Sequence, residues 1–326
     1  MRDDILTRLA GRAKPLSRSV AFPDASDIRT LRAASALAAE KIVRPVLVGP
    51  AGLIRGLASD ERIPLDGVAI EDPAGSPHRA RLAAEYLAVG KGGGGSVRRE
   101  AADLDRPLIF AGMMARTGLV GGCVAGSLST TADVVRAALR TIGLRAGVRK
   151  VSGYFLMVFP DRVMSFADCG VLPDPDSADL AEIAGLTADN FRLVTGIEPV
   201  VAFLSFSTKG SAKHPMVVRV RDAASRFAAM RPDITSDGEL QLDAAVSPDV
   251  ARRKAPGSAA AGKANVLVFP DLDAGNIGYK IAERLGGAVA LGPILQGLAR
   301  PMFDLSRGCS VEDIVRVAAI NALSSA

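Results

Sequence analysis

The chain has 326 residues and a formal net charge of +5, with 48% hydrophobic, 23% charged and 4% aromatic residues and no Trp. This is a globular composition with room for one large or two ordinary domains, whose cores must be packed by Ala, Val and Leu. The mild positive charge forms no dense Lys/Arg block or aromatic platform, which argues against nucleic acid and suits a small anionic ligand. The three cysteines, Cys123, Cys169 and Cys309, are odd in number and widely spaced. They suggest neither a disulfide framework nor a metal clip, and they fit a reducing cytoplasm. No run approaches the ~20 apolar residues of a membrane span, and a signal-peptide core is missing at the N-terminus.

In chain order, residues 2–12 read as a short amphipathic helix, 19–23 as a buried strand and 27–41 as a helix begun at Asp24–Asp27. A strand at 45–48, a helix at 51–59, a strand at 67–71 and a helix at 77–89 follow, the alternation of a parallel α/β sheet. The glycine-rich run at 90–96 reads as a flexible linker. Residues 97–117 read as helical with a break at Pro107, 119–125 as a central strand, 126–131 as a polar turn and 132–142 as a helix. A strand pair at 150–160 and 162–168 interrupts the parallel rhythm and opens a second domain. Helices at 177–196, 214–230, 243–253 and 274–285 then alternate with strands at 199–206, 234–240, 264–270 and 287–291. The expected organisation is residues 1–145 with 296–326 in one α/β domain and 146–295 in the other, with a ligand cleft between them.

Several short patterns are excluded as motifs. Gly257–Ala264 nearly matches a phosphate-binding P-loop, but Ala264 replaces the magnesium-holding Ser/Thr and a strand follows in place of a helix. No dinucleotide fingerprint and no nucleophile elbow is present, and two histidines, His78 and His214, are few for a zinc site. The turn after the strand at 199–206 gathers Ser207, Thr208, Lys209 and Gly210, either an anion-binding turn or a solvated loop. By type alone Arg136 is a surface arginine on a helix and Asn276 a helix cap or a ligand contact.

The stretch Pro301–Val315 joins a hydroxyl, a fixed cation, a glycine turn and a carboxylate. Ser310 reads as a helix N-cap with Asp313 three residues on, close to a capping box. Ser306 and Arg307 precede the helix, where a phosphate could rest on the guanidinium fork with Asp313 facing it. A capped helix with a solvated arginine is the plainer alternative.

Taken together, Val124–Gly126 with Ser129–Asp133, Phe166–Cys169, residues 204–214, Asp237–Ala244, Lys254–Ser258, Gly262–Leu267, Phe269–Leu272, Ala274–Ile277 and residues 304–310 resemble the phosphate acetyltransferases, and most of all the form associated with ethanolamine utilisation. The resemblance implies two α/β/α domains of the isocitrate/isopropylmalate-dehydrogenase-like type, a homodimer, and the reversible reaction of acetyl-CoA with phosphate to acetyl phosphate and coenzyme A. It implies direct transfer in a ternary complex, with coenzyme A as substrate and no tightly bound cofactor. Asp313 matches the residue taken as base on the thiol, Arg307 the phosphate-binding arginine and Ser306 its hydroxyl partner. Arg136 matches a second substrate-binding arginine, and Ser129, Thr130, Ser207, Thr208, Lys209 and Asn276 are the further expected substrate contacts. Cys169 matches a family cysteine for which the mechanism has no nucleophilic use.

The chain departs from the family near Lys91, where many relatives carry an Arg-Lys pair. This departure motivates the alternative of a coenzyme A-binding scaffold, beside that of a transferase for propionyl or butyryl groups. The expected location is the cytoplasm, and the ethanolamine-type resemblance admits docking into a bacterial microcompartment through the 2–12 helix.

Overall fold

The computed structural model describes residues 2–90 and 102–325; beyond Gly90, the expected linker and Lys91 lie outside the described residues. The described strands are β1 (Ser19–Phe22), β2 (Arg44–Val48), β3 (Ala69–Glu71), β4 (Gly122–Val124), β5 (Ser152–Val158), β6 (Val163–Ala167), β7 (Val200–Leu204), β8 (Thr235–Leu240), β9 (Val266–Val268), β10 (Val289–Gln296) and β11 (Met302–Phe303). The chain divides into two compact units, Leu6–Gly147 with Leu298–Ala326, and Met1–Ile5 with Val148–Gly297. None of the described helices is long and apolar enough to cross a membrane.

The first unit holds a sheet of order β11-β4-β1-β2-β3. Every pairing is parallel. The strands are short apolar runs with few polar alternations, as expected where helices cover both faces. Helices Ile28–Ala39 and Val311–Ser324 pack together on one face, and helix Pro107–Arg116 lies on the other with Arg79–Gly90 and Thr131–Thr141. The chain leaves β1 towards β2 and β3, then returns to lay β4 on the opposite side of β1. Strand order therefore reverses between β1 and β4, the kind of point at which open α/β sheets bind ligands. The expected break falls just before Pro107: residues 102–103 are helical, 104–106 form a turn, and Pro107 begins the next helix at N1, where a missing N–H costs nothing.

Gly122 shows how tightly the C-terminal helix is seated on this sheet. A β-carbon there would collide with the Asn321 side chain, which is fully buried and donates to the Cys123 carbonyl at 3.0 Å. A side chain at 122 would force that helix off the strand.

The second unit holds a mixed sheet of order β10-β5-β6-β9-β7-β8. β10-β5 and β5-β6 are antiparallel, so 152–158 and 163–167 form the expected strand pair. β6-β9, β9-β7 and β7-β8 are parallel. β10 runs past the expected end at 291 to Gln296, with a register shift between Leu291 and Ile294 that accommodates Gly292–Pro293. The helix expected at 243–253 is two, Leu242–Val246 and Pro248–Lys254, because Pro248 has no N–H to continue the first. Phe155, Met157, Phe166, Leu204, Leu267 and Phe269 lead one apolar cluster, with Tyr279 stacked on Phe155 at 3.9 Å.

Candidate active site

In the first unit, the loops at the carboxyl ends of β1, β4 and β11 meet at the switch point. Asp24, just after β1, organises the loop after β4. Its Oδ2 accepts from the N–H groups of Gly126, Leu128 and Ser129 at 2.7, 3.1 and 3.3 Å, and its Oδ1 accepts from Ser129 Oγ at 2.7 Å. Gly126 has φ +107°, and a β-carbon there would strike Asp304 and Leu305, so only glycine lets the two loops come this close. Thr130 caps the next helix, its Oγ1 donating to Asp133 Oδ2 at 2.7 Å. Arg136 pairs with Asp133 at 2.5 Å, with its side chain 68% exposed. The Thr130 hydroxyl, and then Arg136, hold the Asp133 carboxyl below its usual range.

Arg29 ties these loops together, and sequence reasoning missed it. Its Nη1 donates to the carbonyls of Arg307 at 2.9 Å and Cys309 at 2.8 Å, and its Nη2 donates to the Ser127 carbonyl at 3.0 Å. Nε and Nη2 also fork onto Asp27, the N-cap of the same helix. One planar guanidinium thus clamps the loop before Ser129 to the loop carrying Arg307. The available signal was Asp24-Ala25-Ser26-Asp27-Ile28-Arg29, a charged run directly after a buried strand. Arg29→Ala is expected to lower kcat about 10–100-fold through misplacement of the Arg307 loop. Arg29→Lys should recover little, since one ammonium cannot span three carbonyls. Steady-state kinetics beside a thermal melt check both.

The loop after β11 places Ser306 and Arg307 at the surface. Ser306 Oγ accepts from the Gly308 N–H at 3.3 Å. The Arg307 guanidinium makes no hydrogen bond or ion pair among the described residues. Ser310 and Asp313 form a full capping box, with Ser310 N–H donating to Asp313 Oδ2 at 2.9 Å and Asp313 N–H donating to Ser310 Oγ at 3.1 Å. The cation beside Asp313 is Arg316, 3.7 Å from Oδ1, and no Arg307–Asp313 pair forms. Oδ1 accepts no hydrogen bond among the described residues and remains open to a proton.

Asp304 was likewise not singled out from the sequence. It is fully buried, its Oδ2 accepts from Thr131 Oγ1 at 2.6 Å, and its Oδ1 has no hydrogen-bond partner among the described residues. Burial pushes its carboxyl up to about 7, against the Thr131 hydrogen bond. A raised acid binds more protons folded than unfolded, so its contribution to stability falls as pH rises from its ordinary range through about 7. Asp304→Asn keeps the acceptor for Thr131 and removes the charge. The melting-temperature advantage of the variant over the parent should grow by about 3 °C between pH ~5 and pH ~8.5, as differential scanning calorimetry can check.

In the second unit the remaining expected residues also lie past the carboxyl ends of parallel strands. Ser207 is fully buried, with its Oγ donating to Glu239 Oε1 at 2.9 Å, and Thr208, 5% exposed, exchanges hydrogen bonds with Gln241. These hydroxyls build the turn from within and offer no exposed donors. Lys209 Nζ is half-exposed and pairs with Asp237. Asn276 Nδ2 donates to the Cys169 carbonyl at 3.2 Å and its Oδ1 accepts from Lys280 at 2.8 Å; it sits inside helix Leu272–Arg284, whose cap is Asp271. Cys169 is buried among the apolar cluster, which pushes its thiol up and makes it a poor thiolate.

An exposed arginine without a partner among the described residues, on a loop at the switch point of a parallel sheet, suits an α/β protein that handles an anionic group. Comparison with known proteins narrows the class: the chain belongs to the phosphate acetyl/butaryl transferase family, whose sequence model matches residues 4–322. A phosphate acetyltransferase of Acetivibrio thermocellus is 42% identical over 326 aligned residues that cover 98% of each chain. One from Paracoccus denitrificans is 44% identical over 326, covering 98% of this chain and 99% of its own. The EutD phosphotransacetylase from Staphylococcus aureus superposes with a TM-score of 0.93 at 39% identity, covering 100% of this chain and 99% of its own. The expected fold class, two dehydrogenase-like α/β/α domains, is the one these phosphotransacetylases have.

Proposed function

We propose that this chain transfers an acetyl group reversibly between coenzyme A and inorganic phosphate. The observation that carries the reading is Arg307, a permanent cation left without a protein partner among the described residues on a loop that Arg29 holds in place. In the direction of acetyl-CoA synthesis, Asp313 takes the proton from the coenzyme A thiol. Unaided, only a minor fraction of a thiol with pKa near 8.5 is ionised at neutral pH. The thiolate attacks the carbonyl carbon of acetyl phosphate, the C–S bond forms, the C–O bond to phosphate breaks, and phosphate departs with that electron pair. Arg307 neutralises the leaving phosphate, with the Ser306 hydroxyl beside it, and such fixed electrostatic stabilisation is commonly the largest catalytic contribution. Ser129, Thr130, Arg136, Lys209 and Asn276 are proposed as substrate contacts, with Ser207 and Thr208 supporting Lys209 from beneath.

The test is phosphate-dependent release of coenzyme A from acetyl-CoA, read with a thiol reagent. No release from folded protein would sink the reading in favour of a coenzyme A-binding scaffold, and release that does not depend on phosphate would sink it in favour of thioester hydrolysis. The family description spans butyryl as well as acetyl transfer. Rates with acetyl-, propionyl- and butyryl-CoA decide the acyl group, one methylene in a pocket being worth about 1–3 kcal/mol.

The proposed assembly is a homodimer in the cytoplasm, and the likeness to the EutD phosphotransacetylase extends the proposed setting to a bacterial microcompartment. Helix Leu272–Arg284 supports the dimer, because Ile277 and Ile281, followed by Leu285 just past its end, are 58%, 54% and 83% exposed along one stripe. Ile281→Glu is expected to convert the dimer to monomer in light scattering.

A further inference from the structure

We propose that Glu239 is a positioning residue, an internal anion that fixes the turn at 205–211 so that Lys209 is presented to an anionic substrate. The inference rests on the function proposed above. A turn with this composition invites an external phosphate, yet its donors are already taken. The Gly210 N–H donates to Glu239 Oε1 at 2.7 Å, Ser207 Oγ donates to the same oxygen at 2.9 Å, and the Lys209 N–H donates to the Glu239 carbonyl at 3.2 Å. Thr208 N–H donates to Ser211 Oγ, and Ala212 N–H to Ser207 Oγ. The seat an anion would occupy is filled by the protein's own carboxylate, 1% exposed, with Arg221 Nε donating to its other oxygen at 3.1 Å.

What this carboxylate holds in place has the marks of a binding element. Lys209 has φ +49° and Gly210 φ +82°, two successive left-handed residues of which the first carries a β-carbon that disfavours it. Such a conformation persists only where the surroundings over-determine it, and it concentrates at functional sites. Both N–H groups at this bend end on Glu239. Two residues earlier on β8, Asp237 pairs with the Lys209 ammonium and accepts from Ser258 Oγ. Residues 237 and 239 together set the backbone and the charge of Lys209 at the carboxyl end of β7, where a parallel sheet meets its ligands.

The experiment is a kinetic double-mutant cycle on the full chain, with acetyl-CoA and phosphate varied separately and melting followed in parallel. Glu239→Ala is expected to raise KM for one of these anions about tenfold while kcat stays within about threefold. Glu239→Gln should recover part of the loss, since its amide oxygen still accepts from Gly210 and Ser207. Added to Lys209→Ala, Glu239→Ala should raise KM no further, because both act through one ammonium. KM within about twofold of the parent for both substrates, a loss confined to kcat, or effects on KM that multiply would overturn the proposal. If Glu239→Ala does not fold, Glu239→Gln and Ser207→Ala, each paired with Lys209→Ala, carry the same test by the same criteria. A parent chain lacking phosphate-dependent release condemns the functional reading itself; an active parent with unaffected variants condemns only the role of Glu239.

Discussion

Arg307→Ala is expected to reduce kcat by about 10³-fold and to raise KM for phosphate and acetyl phosphate, with little change in melting temperature. The leaving group is a multiply charged anion, and an arginine cannot lose its charge at any working pH. No ion pair or hydrogen bond of the guanidinium is lost among the described residues, so the change behaves as a surface substitution, within about 0.5 kcal/mol of neutral. Arg307→Lys separates charge from geometry. It keeps a cation and gives up the planar fork, and its rate should fall between those of the parent and the alanine variant. Initial rates in both directions, with each substrate varied, provide the check. An alanine variant within about tenfold of the parent in kcat would move the anion site elsewhere in the chain.

Asp313→Asn is expected to lower kcat by about 10²–10⁴-fold with KM values nearly unchanged. Asparagine keeps an oxygen that can accept from the Ser310 N–H, so the capping box survives. The variant loses only the favourable placement of a negative charge at a helix N-terminus, about 0.3–1 kcal/mol. Activity and stability therefore separate at this position. A fully active Asp313→Asn would show that the proton leaves sulfur by another route. Arg316 adds a control: it is the cation beside Asp313 Oδ1, at 3.7 Å, so Arg316→Gln should alter the rate far less than Asp313→Asn does.

Which parts of this structure could be read from the sequence follows from how far apart the interacting residues lie. The strand–helix alternation was legible because most strands are short apolar runs and several helices, such as Thr131–Thr141, are amphipathic, and both signals are local. The capping box at Ser310 and Asp313 was legible for the same reason. Arg29 was not. Its partners are 98, 278 and 280 residues away, and they meet it only once β4 and β11 lie beside β1. Strand β11 itself is two residues long, too short for any alternation to show, yet it sets the position of Asp304 and the loop that follows.

The inward hydrogen bonds of Ser207 and Thr208 were not legible for a related reason. Hydroxyls and lysines after a strand look like donors awaiting a ligand, and composition cannot reveal that a glutamate from the neighbouring strand lies beneath them. The pairing of β7 with β8 makes that contact. Pro107 and Pro248 show how unevenly proline punctuates a sequence. The first marks the break expected there, whereas the second splits a helix that periodicity alone would run through.

The return of residues 298–326 to the first unit has a consequence for biosynthesis. Val148–Gly297 is continuous and can fold while the ribosome is still adding residues, as domains generally do during synthesis. The sheet begun by β1 cannot be finished then, because its β11 edge and a helix on one face are translated only after residue 297. Leu31 belongs to helix Ile28–Ala39 in that half-built core, which packs against the later helix Val311–Ser324. A nascent chain stalled short of residue 300 would therefore expose oily surface on its earlier part while its later part was already native, the form a chaperone recognises.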